Sequence, residues 1–140
     1  MNFKLKHLAS FIAFGGISLL LAHSSYAAKV SPETRIVTAT AQLENKPNLI
    51  AVYAKGFVCN SCGIGIRIHL SKIDSVDLTS FNRGVEMDPA QQLLFIAFKP
   101  GVEPDLEVIH RAIYDAGYEP DLYYRWTDSG LIVAPLPPLN

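Results

Sequence analysis

Leu49-Ile50-Ala51-Val52-Tyr53-Ala54-Lys55-Gly56-Phe57-Val58-Cys59-Asn60-Ser61-Cys62 runs from a strand into a loop that carries two cysteines. Its first six residues are apolar, β-branched or aromatic, the composition of a strand near the centre of a sheet. Lys55 and Gly56 end the strand, glycine supplying backbone angles that other residues avoid. The loop then holds both of the chain's 2 cysteines. A bridge between cysteines this close in sequence closes very little chain, so it adds little through loop entropy. The spacing needs another reason: one small disulfide, or two thiolates that share one soft metal ion.

Working outward, a helix is expected from Cys62 to about Asp74, capped by Asn60 or Ser61. Ile66, Leu70 and Ile73 fall at helical spacing and form its buried stripe, while Arg67, His69, Ser71 and Lys72 face away. Gly63 and Gly65 weaken the first turn. The segment 76–81, continued by 83–87, reads as a second strand. Asp88-Pro89-Ala90-Gln91 is a turn signal, and Gln92–Phe98 is a strand apolar enough to be covered on at least one face. Glu103-Pro104-Asp105 opens a second helix with Pro104 in its first turn. Leu106, Ile109, Ile113 and Ala116 form its apolar face, and Gly117 stops it. Leu122–Trp126 is the last main strand. Asp128-Ser129-Gly130 turns the chain into a short edge strand over Leu131–Val133, after which Pro135, Pro137 and Pro138 oppose regular structure.

The ends carry a different message. Lys4 and Lys6 precede an apolar run from Leu8 to Ala22, and Ser25-Tyr26-Ala27 supplies the small residues of a cleavage site. Residues 1–27 therefore read as a signal peptide, which sends the mature chain to the periplasm, where disulfides form and persist. Both lysines leave with that segment, whereas all 13 acidic residues stay, so the mature chain is net acidic. That balance argues against nucleic-acid or anionic-membrane partners. Residues 28–48 read as a polar leader with at most a short strand over Ile36–Thr40. Residues 49–127 are enough for one small domain and not for two, and 128–140 form a proline-rich tail expected to be disordered.

The element order is strand, helix, strand, strand, helix, strand. This is a split βαβ arrangement of class α+β: a four-stranded antiparallel sheet with two helices on one face. With a CxxC at the first strand–helix junction, it resembles the heavy-metal-associated domain family, whose members include periplasmic mercury-binding proteins and copper chaperones. The resemblance spans about Leu49 to Trp126. It rests on Gly56 before the loop, on Ile66, Leu70 and Ile73 after the second cysteine, on Val76, and on the closing segment Asp115-Ala116-Gly117-Tyr118. It implies a ferredoxin-like βαββαβ fold and one copper(I) or mercury(II) ion per chain, held by Cys59 and Cys62. Gly56, Phe57 and Tyr118 would support the site. Phe57 stands where the family usually has a methionine, as a buried support of the loop. The stretch from Leu78 to Gln91 is longer than the family's and is expected to enlarge the link between the second and third strands.

The chemistry of the loop agrees with this. Copper(I) and mercury(II) are soft, prefer thiolates and accept two sulfurs, whereas zinc normally asks for four ligands. Copper(I) is slightly preferred as the commoner need. Cys59 is expected to be the more exposed sulfur and Cys62 the more shielded. Such a site suits an exported monomeric carrier that takes its ion from a donor and gives it to an acceptor, a transporter or another periplasmic carrier. Two alternatives stand beside it: a thiol–disulfide redox protein, and a protein-interaction module whose cysteines rest as a disulfide. His69 and His110 lie off the loop by periodicity. Met87 reads as core, and the tyrosines with Trp126 read as sheet and helix core without a basic patch beside them. No Ser, His and Asp set points to hydrolytic catalysis, so an enzyme is not expected.

Overall fold

The computed structural model describes residues 30–140, so the segment read as a signal peptide, 1–27, lies outside the described residues. Eight elements follow in order: α1 (Pro32–Leu43), β1 (Leu49–Lys55), α2 (Ile64–Leu70), β2 (Val85–Asp88), β3 (Leu93–Ala97), α3 (Leu106–Asp115), β4 (Glu119–Thr127) and β5 (Gly130–Pro135). The sheet is antiparallel with order β2-β3-β1-β4-β5. Its first four strands have the split βαβ topology. The fifth corrects the expected count of four: after the turn at Asp128–Ser129, β5 pairs along β4 from Gly130 opposite Thr127 to Pro135 opposite Leu122.

Strand alternation divides the core in two. Ile50, Val52 and Ala54 of β1 and Leu94 and Ile96 of β3 point to one face. There they meet Ile66 and Leu70 of α2 and Ile109, Ala112 and Ile113 of α3. Leu49 and Ala51 of β1, Leu93, Phe95 and Ala97 of β3, and Tyr124 of β4 point to the other face, onto Ala39 and Leu43 of α1. The two helices expected on one face are there, and a third covers the opposite face. Every residue of β3 is buried for this reason.

Helix α1 replaces the short strand read at Ile36–Thr40. Ser31 caps it, its Oγ accepting from the Thr34 N–H at 3.2 Å, with Pro32 in the first turn. Only Arg35, Ala39 and Leu43 are buried, a stripe of one residue in four that is too thin to register as an amphipathic period. Arg35 is the unexpected member. Its guanidinium lies 3.8 Å from the centre of the Tyr53 ring. Its Nε donates to the Gln91 carbonyl at 3.2 Å, and Nη2 to the Val30 carbonyl at 3.0 Å. The stem fills apolar space while the charged head is satisfied by carbonyls and a ring face.

Helix α2 is shorter than expected. It runs from Ile64 to Leu70, flanked by turns, with Gly63 at the N-cap and no side-chain cap bond from Asn60 or Ser61. Gly65 and three isoleucines give it little intrinsic propensity, so burial of Ile66 and Leu70 sustains it. Ser71, placed on the outer side by period, is buried and donates to the Arg83 carbonyl at 2.9 Å.

The strand expected over 76–81 is a turn-rich link, and only Val76 makes a bridge, to Phe98. The Asp77 carboxylate gathers the Thr79 N–H and hydroxyl and the Ser80 hydroxyl at 2.7–3.0 Å. Phe81, Arg83 and Gly84 have φ of 50°, 54° and 84°, which no strand tolerates. The extra length therefore lies between α2 and β2, whereas β2 and β3 are joined by a tight turn.

Helix α3 is capped by Asp105, whose Oδ1 accepts from the Glu107 and Val108 N–H groups, so Pro104 precedes the helix instead of opening it. Gly117, at φ 89°, ends it: the Gly117 N–H bonds the Tyr114 carbonyl and the Tyr118 N–H the Ile113 carbonyl. This paired closure turns the chain and aims Tyr118 back at the cysteine loop. The proline-rich tail is docked, contrary to expectation. Leu136 is buried in the helix-side core and its N–H bonds the Asp121 carbonyl at 2.9 Å. His110 Nδ1 bonds the Pro137 carbonyl at 2.6 Å, and Arg111 Nη2 the Asn140 carbonyl at 3.2 Å.

Candidate metal-binding loop

The loop from Gly56 to Gly63 joins the end of central strand β1 to α2. Gly56, at φ 84°, makes the first bend. Phe57 is then fully buried in the helix-side core. Val58 and Asn60 face solvent. The chain closes on itself through the Gly63 N–H to the Cys59 carbonyl at 3.3 Å.

Cys59 and Cys62 are brought together and joined as a disulfide, with Cα atoms 5.2 Å apart. Their environments differ. Cys59 Sγ accepts from the backbone N–H of Cys62 at 3.1 Å and lies 3.5 Å from the Ser61 hydroxyl. Cys62 Sγ has no hydrogen-bond partner among the described residues. Cys59 is half-buried and Cys62 exposed, the reverse of the sequence expectation. That expectation placed Cys62 inside the helix. Because α2 begins two residues later, Cys62 sits on the preceding turn and points outward.

Tyr118 supports this turn directly. Its hydroxyl donates to the Cys62 carbonyl at 2.7 Å, and its ring meets Phe57 edge-to-face with centroids 6.3 Å apart. One residue therefore braces the loop from beneath through Phe57 and from the side through the carbonyl. Lys55, at the strand end before Gly56, is paired with Glu119 and Asp121 of β4 at 3.1 and 3.0 Å. The Asp121 and Glu119 carboxylates hold its pKa above the ordinary lysine value. These pairs are exposed and add little stability.

Two residues of the site were missed. Gly63 packs so tightly that a Cβ there would lie 2.5 Å from Met87 Sδ and 2.6 Å from the Phe57 ring. Met87, half-buried on β2, thus reaches under the loop as well as into the core. No sequence period links Gly63 to Met87; only the sheet topology brings β2 beneath the α2 side. Both histidines lie off the loop, but His69 is half-buried and turned towards α3 instead of facing away. His69 lines a groove between α2 and α3 with Arg111 and Asp115, and His110 holds the tail. Among the described residues no three His, Cys, Asp or Glu side chains gather as a metal site, so the loop offers its two sulfurs alone.

No family model matches the chain, and no curated protein matches it in sequence. Among solved structures, it is similar to the crystal structure of a copper-binding domain from HMA7, a P-type ATPase, with a TM-score of 0.42 and 23% identity. The match covers 52% of this chain and 89% of that domain.

Proposed function

We propose that the reduced protein binds one soft metal ion between the thiolates of Cys59 and Cys62, copper(I) in preference to mercury(II), and passes it to another protein. The observation that carries this reading is a pair of sulfurs held together on a braced, open turn. Soft ions select thiolates, and two sulfurs satisfy copper(I) or mercury(II) while leaving zinc short of ligands. Copper(I) takes preference as the commoner biological requirement.

The same geometry supports transfer. Reduction frees both sulfurs. The Cys62 N–H and the Ser61 hydroxyl then stabilise negative charge on Cys59, while the exposed Cys62 faces an incoming partner. A partner thiolate adds as a third ligand and draws the ion away as one of the two cysteines lets go. Tyr118 and Phe57 keep the turn in place during the exchange, so little ordering is lost or gained. The protein acts as an exported monomeric carrier without enzymatic activity, and its donor and acceptor are a transporter or another periplasmic carrier. Native mass spectrometry of the reduced protein with copper(I) tests the binding: one ion per chain is expected, and none in the Cys59→Ser, Cys62→Ser double variant. Recovery of the protein from the periplasm with Ala28 at its N-terminus tests export.

The disulfide favours a second reading, a periplasmic interaction module that rests oxidised or exchanges disulfides. A pull-down with the double serine variant separates the two. Partners retained without the cysteines support the module.

A further inference from the structure

We propose that Cys62 is the site at which an external thiol attaches covalently to this protein, and that Cys59 is the sulfur released. The inference concerns the oxidised pair and holds whether or not the reduced pair carries metal.

Three observations carry it. The cysteines are joined, so any thiol that reaches the loop meets a disulfide. The sulfurs differ in access: Cys62 is exposed on the turn before α2, while Cys59 is half-buried. They also differ in what awaits a departing sulfur. Cys59 Sγ already accepts the Cys62 backbone N–H at 3.1 Å and lies 3.5 Å from the Ser61 hydroxyl. Cys62 Sγ has no donor among the described residues. Thiol–disulfide exchange is fastest when the attacked sulfur is accessible and the leaving sulfur is stabilised as a thiolate. Here both conditions select the same direction.

The sulfur of an external thiolate forms a new S–S bond with Cys62 Sγ. The Cys59–Cys62 bond breaks, and its electron pair leaves on Cys59 Sγ, towards the two donors already in place. If the partner is a dithiol, its second thiolate attacks the mixed disulfide and releases the Cys62 thiolate. The partner closes its own disulfide, having supplied two electrons. A monothiol instead leaves Cys62 capped.

The wall around the loop agrees with this direction. Tyr118 holds the Cys62 carbonyl, and Phe57, Gly63 and Met87 fill the space beneath, so approach comes from solvent. The partner class is a reduced thiol or dithiol, small or protein-borne.

The test uses oxidised protein, glutathione as the thiol, and excess iodoacetamide to cap the released sulfur, with both positions assigned by fragmentation mass spectrometry. Glutathione on Cys62 with alkylated Cys59 is expected to exceed the reverse product by roughly tenfold. Equal products, or glutathione mainly on Cys59, overturn the proposal. A Ser61→Ala variant separates access from leaving-group support. It is expected to open about two- to threefold more slowly with the same attachment site. An unchanged rate removes the hydroxyl from the account, and a switched site overturns it.

Discussion

Tyr118, the first residue past the end of α3's closing turn, donates its hydroxyl to the carbonyl of Cys62 at 2.7 Å. This one bond joins the α3–β4 junction to the cysteine loop across 56 positions of chain. Tyr118→Phe keeps the edge contact with Phe57 and removes only the hydroxyl. A loss of about 0.5–1.5 kcal/mol is expected in urea unfolding. Copper(I) release from the reduced variant should quicken by several-fold. Unchanged release with lowered stability would limit Tyr118 to a structural role.

Gly63 illustrates a constraint of space rather than of backbone. Its φ of −77° and ψ of −1° suit any residue. A methyl group there meets Met87 Sδ and the Phe57 ring. Gly63→Ala is therefore expected to cost about 1–3 kcal/mol by overfilling the support of the loop. Met87→Ala in the same chain should recover only part of this, since the rigid Phe57 ring remains. Full recovery would show that the flexible thioether was the whole obstacle. Equilibrium unfolding of the single and double variants decides it.

The second core makes a separate prediction. Leu43 is fully buried between α1 and the far face of the sheet. Leu43→Ala should destabilise the whole domain by about 2–5 kcal/mol in one cooperative transition. Loss of α1 alone, seen as an early separate transition, would return residues 28–48 to the status of a leader.

Asp77 supplies a pH dependence. The Thr79 hydroxyl, then the Ser80 hydroxyl and the Thr79 N–H, hold its carboxylate pKa below the ordinary aspartate value. In the unfolded chain the group returns to that value and so binds more protons through the acid range. Its contribution is present above the unfolded pKa and is lost as pH falls through the folded one. Asp77→Asn should thus be less stable than the parent at neutral pH, with the gap closing on acidification. A gap that persists unchanged at acid pH would assign the effect to shape rather than charge. Thermal melts across the acid range provide the comparison.

Much of this was legible because strong local signals coincide with the elements that position the loop. The apolar run of β1, the Leu106–Ile109–Ile113–Ala116 face of α3 and the Gly117 stop are all where the periodicity puts them. Phe57 and Tyr118 come from the resemblance rather than from any period. What escaped was set by tertiary contact. α1 buries one residue in four, and one of these is an arginine satisfied by the distant Gln91 carbonyl and the Tyr53 ring. β5 runs past the short edge strand expected over Leu131–Val133 to Pro135, and the tail docks through Leu136; both depend on pairing with β4 and on a pocket that a proline-rich sequence does not announce. The exposure of the two sulfurs was reversed because the helix start was placed two residues too early, enough to turn Cys62 from the core towards water.

The proposed carrier role stands on the reduced Cys59–Cys62 pair as a two-thiolate site for a soft ion. The most direct test is an anaerobic copper(I) titration of reduced protein against a chromophoric competitor, beside the Cys59→Ser and Cys62→Ser single variants. Tight one-to-one binding that is lost in both variants is expected. Binding that survives either substitution, or no binding by the parent of copper(I) or of mercury(II) in a parallel run, would contradict it.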